Sequence, residues 1–289
     1  MRRLSRYNPK LISFMSHTLI PHANIASKTK ANTSSSQDKK ILLLLSSFWF
    51  RGETFAGVSI TASRPNGKYH YIEGSVSTHQ PQVGGGQLSG SVISVESGIP
   101  NSTFGVIRIG WMQFDHKSAK GCFNTYCPGF VQVNRKIPLD MVIDQISVPN
   151  GKYDFIKLEL RQLHPGESWW FIYWDGDNEE HIGYWPNVLF NNLKDGAEVV
   201  RWGGWVSSTT ANLPMMGSGL LGVHGGQVRR ISATNDFTAR LNGATKNREK
   251  YVYEQSKCYR AGPNRYRHPY WGDSVWYGGN AGDVKHCPP

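Results

Sequence analysis

Phe55-Ala56-Gly57-Val58-Ser59-Ile60-Thr61-Ala62, then Arg64-Pro65-Asn66-Gly67, then Tyr69 to Val76, is the stretch that decides the fold class. Small or polar residues alternate with apolar and β-branched ones, the period of an extended chain with one face buried. The Pro-Asn-Gly group is turn chemistry, so the segment reads as strand, turn and partner strand. The same pattern recurs outward along the chain, at Ser91–Val95, Gly105–Gln113, Gly129–Val133, Tyr153–Leu160, Trp169–Tyr173, His181–Tyr184, Glu198–Val206 and Gly225–Ile231. No long helical heptad pattern competes with it. The expectation is an all-β chain, an antiparallel sandwich of two stacked sheets.

The net charge of +11 suggests a nucleic-acid partner until it is divided along the chain. Residues 1–40 carry eight basic side chains against the single acid Asp38, and residues 229–268 carry ten against three. The excess therefore sits in a tail and one late segment. Residues 1–50 read as a basic, disordered N-terminal segment, and 51–289 as the folded unit. The first forty residues have the composition of an organellar transit peptide rather than of a secretory signal. The apolar run Ile41–Phe50 is too short to span a bilayer and lies too far from Met1 for an ordinary signal, so it reads equally as a buried first strand. No membrane span is expected.

In the late segment, Arg229, Arg230, Arg240, Lys246, Arg248 and Lys250 precede Tyr251, Tyr253 and Tyr259. Basic residues interleaved with aromatics can track a phosphate backbone, but no recognised motif accompanies them, and no nucleic-acid partner is expected. Asp175-Gly176-Asp177-Asn178-Glu179-Glu180 clusters hard oxygen ligands of the kind calcium takes, yet it lacks the spaced final carboxylate and reads as a solvated hairpin turn. Gly84-Gly85-Gly86 and Gly217-Ser218-Gly219 lack the lysine and setting of a phosphate loop. His224-Gly225-Gly226 has no nucleophile elbow to serve. Neither a cofactor nor a metal is expected.

Four cysteines, Cys122, Cys127, Cys258 and Cys287, allow three connectivities. A zinc site is the rival reading, though it would normally show a two- to four-residue spacing in both halves and His partners at short range. Asn101-Ser102-Thr103 is a candidate glycosylation sequon, as is Asn32-Thr33-Ser34.

The segment Gly121-Cys122-Phe123-Asn124-Thr125-Tyr126-Cys127-Pro128-Gly129-Phe130 resembles the Gly-Cys-Tyr-Asn-x-x-Cys-x-Gly-Phe signature of the plant neprosin family, secreted glutamic-class endopeptidases that cut next to proline. Further matches follow in order: Ile182-Gly183-Tyr184-Trp185-Pro186 with Leu189-Phe190, Trp202-Gly203-Gly204, Met216-Gly217-Ser218-Gly219, Tyr277-Gly278-Gly279 and Cys287-Pro288. The resemblance implies disulfides Cys122–Cys127 and Cys258–Cys287, an oxidising compartment, and an extracellular or secretory-pathway location.

It also implies a carboxyl pair, one ionised to take a proton from water and one protonated to donate. The family places these glutamates in Ile-Glu-Ala-Gly-Trp and Trp-Gly-Gly-Glu-Val. Here the first motif reads Ile107-Arg108-Ile109-Gly110-Trp111 and the second Trp202-Gly203-Gly204-Trp205-Val206. A guanidinium is no base at neutral pH, and an indole offers one N–H and nothing titratable. No catalytic residue is therefore assigned, and Trp111, Trp202, Gly203, Gly204 and Trp205 are the candidate cleft. Glu198 is an odd number of residues from Trp205 and should face away from it. Glu96 is not excluded by parity, and Glu159 and Glu167 fall outside both motifs. The segment between Trp111 and Gly121 is also shorter than the family's.

The expectation is a pseudopeptidase that retains binding to proline-rich or glycosylated wall polymers through some of its aromatics, Trp111, Trp169, Trp170, Tyr173, Trp174, Tyr184, Trp185, Trp202 and Trp205. An active proline-directed endopeptidase using other acids is the alternative.

Overall fold

The computed structural model describes residues 12–19 as backbone, and residues 53–62, 67–98, 103–114, 124–126, 128–234, 251–264, 271–280 and 282–283. Strands dominate, and the only helical turns among these residues are short 3-10 turns. Two antiparallel sheets stack face to face without closing into a barrel.

The seven-stranded sheet runs β14 (Val252–Glu254), β2 (Glu53–Thr61), β11 (Val199–Ser208), β4 (Gln87–Ser97), β5 (Gly105–Phe114), β1 (Ile12–Leu19) and β7 (Val142–Ile143). The eight-stranded sheet runs β15 (Arg260–Pro263), β16 (Ser274–Gly278), β13 (Gly226–Thr234), β3 (Tyr71–Ser77), β8 (Phe155–Arg161), β9 (Trp169–Asp175), β10 (Asn178–Trp185) and β6 (Val131–Gln132). A small ladder joins β12 (Asn212–Leu213) to β17 (Gly282–Asp283).

The core lies between the sheets. Ala56, Val58, Ile60, Ile93, Val95, Ile107, Ile109, Val200, Trp202 and Val206 from one meet Ile72, Val76, Ile156, Leu158, Leu160 and Phe171 from the other. Each is every second residue of its strand, which is why alternation in the sequence carries the fold. Two indoles tie the layers together. Trp202 donates its Nε1–H to the Glu73 carbonyl and Trp111 donates to the Ser77 carbonyl, both at 2.8 Å.

Alternation fails on β4, whose burial is almost continuous, because the far face of the seven-stranded sheet is covered as well. Leu88, Val92, Met112 and Trp205 form a second, smaller apolar cluster there, with Phe55 and Phe114 packed against it.

Two sequence expectations are corrected. The strand at 55–62 and the strand at 69–76 are not hairpin partners: β2 pairs with β11 and β14, whereas β3 pairs with β13 and β8 in the other sheet. Both strands bury an apolar face in the same core from opposite sides, and alternation is blind to which side. Residues 63–66, which hold most of the expected turn, lie outside the described residues. Nor does the disorder expected of residues 1–50 hold for Ile12–Leu19, which extends the sheet as β1 along β5.

The acidic loop is a tight β9–β10 hairpin with Gly176 at φ +62° and Asn178 facing Asp175; residues 175–178 are exposed, while Glu179 and Glu180 are half-buried. Cys122, Cys127, Cys287, Asn32, Asn101 and the segment 115–123 lie outside the described residues, while Cys258 is not a free thiol. Among the described residues, no group of three His, Cys, Asp or Glu is placed to hold a metal ion, and no helix is long and apolar enough to cross a membrane.

Candidate active site

Trp-Gly-Gly-Trp in β11 distributes its residues by strand alternation. Trp202 and Gly204 face the inter-sheet core, and Gly204 owes its lack of a side chain to the Tyr277 ring packed on it. Gly203 and Trp205 face outward. On β5 the same rule turns Trp111 inward, where it is fully buried, and Arg108 outward. The candidate cleft is therefore corrected: Trp111, Trp202 and Gly204 belong to the core, and only Gly203 and Trp205 share the outer face with Arg108.

Rows of that face run across four strands. Phe55, Trp205, Gly90 and Met112 stand side by side on β2, β11, β4 and β5; the next row is Gly57, Gly203, Val92 and Gly110, and the next Ser59, Arg201, Ser94 and Arg108. Gly57 and Gly203 face each other directly, and the Phe55 ring lies over both, so a methyl group on either would overlap the ring and the facing backbone.

Arg108 and Trp205, two strands and two rows apart, meet along the diagonal. The guanidinium carbon lies 5.1 Å from the centroid of the indole, within cation–π range. One strand farther on, Arg108 Nη1 is 3.3 Å from Glu53 Oε2, with side chains 12% and 18% exposed. A contact spanning three inter-strand gaps shows that the sheet is strongly twisted and concave along this diagonal.

A second arginine organises the other acids. Arg201 lies 3.2 Å from Glu96 Oε2 and 3.0 Å from Glu254 Oε1, and its guanidinium carbon is 5.9 Å from the centroid of the Phe55 ring. Glu96 is 4% exposed and also accepts from the Ser94 hydroxyl at 3.1 Å. The outer face thus holds three carboxylates, Glu53, Glu96 and Glu254, each tied to a guanidinium. Such a network positions side chains and neutralises charge; it does not supply a carboxyl acid facing a free carboxylate.

The remaining acids considered from sequence stand elsewhere. Glu198 accepts from the Gly98 N–H at 3.0 Å and lies 3.8 Å from Lys68. Glu167 is exposed on the β8–β9 loop, and Glu159 is buried on the outer face of the other sheet. Sequence reasoning missed Glu53, Phe55, Arg201 and Glu254. Arg201 was within reach of it, four residues before Trp205 and hence on the same face, but the other three arrive through β2 and β14, whose pairing with β11 and with each other is long-range.

The aromatics divide likewise. Trp111, Trp169, Trp185 and Trp202 are core, and Trp205 is 3% exposed. Half-exposed rings, Trp170, Trp174 and Tyr184, gather on the outer face of the eight-stranded sheet, where Trp170 packs on Tyr184 at 4.8 Å and on His181 at 5.4 Å. In the basic segment, Arg229 lies between Phe155 and Trp271, 4.2 and 3.7 Å from the ring centroids; residues 235–250 lie outside the described residues.

Residues 85–280, from just before β4 through β16, match the Neprosin family model. That span contains β5 and β11, the strands that carry Arg108 and Trp205, and the chain belongs to the neprosin family.

Proposed function

We propose that this neprosin-family chain is a pseudopeptidase that acts by binding, its ligand a proline-rich or glycosylated polymer. The observation that carries the reading is the Arg108–Trp205 contact with Glu53 at its end. The two positions that align with the family's glutamates hold a cation lying on an aromatic ring. Proton transfer needs a titratable pair with opposed protonation states, and neither residue offers a titrating group at neutral pH.

The half-exposed rings of the eight-stranded sheet, Trp170, Trp174 and Tyr184, give the binding reading its surface. Flat rings stack on the faces of sugar or proline rings without needing charge. Trp205, buried in its own cluster, contributes little area. Retention of the full-length protein on proline-rich and on polysaccharide matrices tests the reading. Binding that resists salt and weakens several-fold in Trp170→Ala supports it; equal retention of the variant, or none by the parent, contradicts it. The Cys122–Cys127 and Cys258–Cys287 pairs and a secretory-pathway location belong to the same proposal.

A second reading, a proline-directed endopeptidase run by other acids, draws on one observation: Glu53 and Glu96 share the outer face with positions 108 and 205. Their arginine partners weigh against it. Cleavage by the parent that is lost in Glu53→Gln or Glu96→Gln would favour it.

A further inference from the structure

The outer face of the eight-stranded sheet buries a second pair of carboxyls. Glu73 on β3 stands directly opposite Glu159 on β8, and the two are 7% and 0% exposed. Like charges facing each other across adjacent strands repel, and burial raises the cost of ionising both.

The described groups facing the pair come from five strands. On β8, Lys157 Nζ lies 3.4 Å from Glu73 Oε2, and Arg161 Nε lies 3.3 Å from Glu159 Oε1. On β10, Glu179 takes the other arm of Arg161 and lies 2.7 Å from His181 Nε2. On β9, Trp174 donates its Nε1–H to Glu159 Oε2 at 3.0 Å, with Lys157 Nζ 3.8 Å from the centroid of its ring. On β3, the Tyr71 hydroxyl donates to the same oxygen at 3.5 Å. Uncharged Ser232 of β13 is registered with Glu73, and Ile172 of β9 with Glu159.

Three carboxyls therefore meet two permanent cations, Lys157 and Arg161. Of the three carboxyls, Glu73 and Glu159 are the two that are buried and face each other, so ionising both sets like charges side by side away from water, and one proton removes the repulsion. We propose that Glu159, facing Glu73 across the β3–β8 ladder, holds a proton in the native protein, making a buried proton-binding site on the outer face of the eight-stranded sheet.

Burial pushes the Glu159 carboxyl up to about 7, with Glu73 and Glu179 adding to the rise and Arg161 and Trp174 opposing it. The sign follows. Between the ordinary glutamate range and about 7 the native state holds a proton that the unfolded chain has lost, so this site contributes stability in acid that is lost as pH rises through that window.

Infrared titration of the full-length protein reads the proton directly through the C=O stretch of a protonated carboxyl. One such band should persist at about pH 6, above the range of ordinary carboxyls, and should vanish in Glu159→Gln. In Glu73→Gln its midpoint should fall by roughly one pH unit or more, because the facing like charge has gone. A wild-type protein with no protonated carboxyl at about pH 6 overturns the proposal even if neither variant folds, as does a midpoint that Glu73→Gln leaves unchanged.

Discussion

The Arg108 guanidinium lies 5.1 Å from the centroid of the Trp205 ring, so the two positions assigned by motif to the family's glutamates touch each other in this chain. Two strands and two rows of the sheet separate them, and the twist of the sheet closes the gap. The two residues therefore form one contact: a cation on a ring, seated in a small apolar cluster and tied off by Glu53.

Trp205 is the largest member of the cluster it shares with Leu88, Val92 and Met112. Trp205→Ala should cost about 3–5 kcal/mol through lost burial and the cavity left behind. Denaturant midpoints at constant slope measure it; a change below about 1 kcal/mol would mean that the indole is not packed as described.

Arg108→Glu alone sets a carboxylate where the partner of Glu53 stood. It should destabilise the protein, and Glu53→Gln in the same background should restore part of the loss. A double-mutant cycle should return a coupling of about 1–2 kcal/mol, between the values for exposed and for buried pairs. Additive effects would show that the 3.3 Å pair contributes nothing in solution.

Gly57 and Gly203 face each other beneath the Phe55 ring with no room for a Cβ. Gly203→Ala should destabilise by about 1–3 kcal/mol, the cost of overpacking a close contact, and Phe55→Ala in the same background should relieve part of it. A neutral Gly203→Ala would refute the close approach of β2 and β11.

His79 gives a pH dependence opposite in sign to that of Glu159. Burial beside Trp111 and Tyr153 lowers its pKa to about 4, and its Nε2 lies 2.9 Å from the Ser77 hydroxyl. In the native state it stays neutral between its ordinary value of 6.5 and about 4, while the unfolded chain gains a proton. Its contribution is complete above 6.5 and is lost as pH falls through that window, by about 3 kcal/mol at most. Stability measured against pH should therefore fall less steeply in acid for His79→Gln than for the parent; parallel profiles would contradict the shift.

Much of this was legible in the sequence. Alternation from Phe55 to Ile231 gave the strands, because inward and outward residues of a sandwich differ in kind. The separation of Trp205 from Glu198 correctly turned the latter away. Sheet membership was not legible: β2 and β3 look alike because both bury one face in the same core. The full outer face was also hidden, since Glu53 and Phe55 reach Trp205 and Arg108 only through the β2–β11 register. Trp111 and Trp202 looked like cleft residues because their motifs adjoin the site, but each is one strand position out of phase with it.

The most direct test of the account is an assay of the full-length protein on a proline-containing peptide across ~pH 3 to 7, the range in which carboxyl pairs work. The account predicts no cleavage by the parent at any pH. Cleavage by the parent that disappears in Glu53→Gln or Glu96→Gln would contradict it and identify a relocated carboxyl pair.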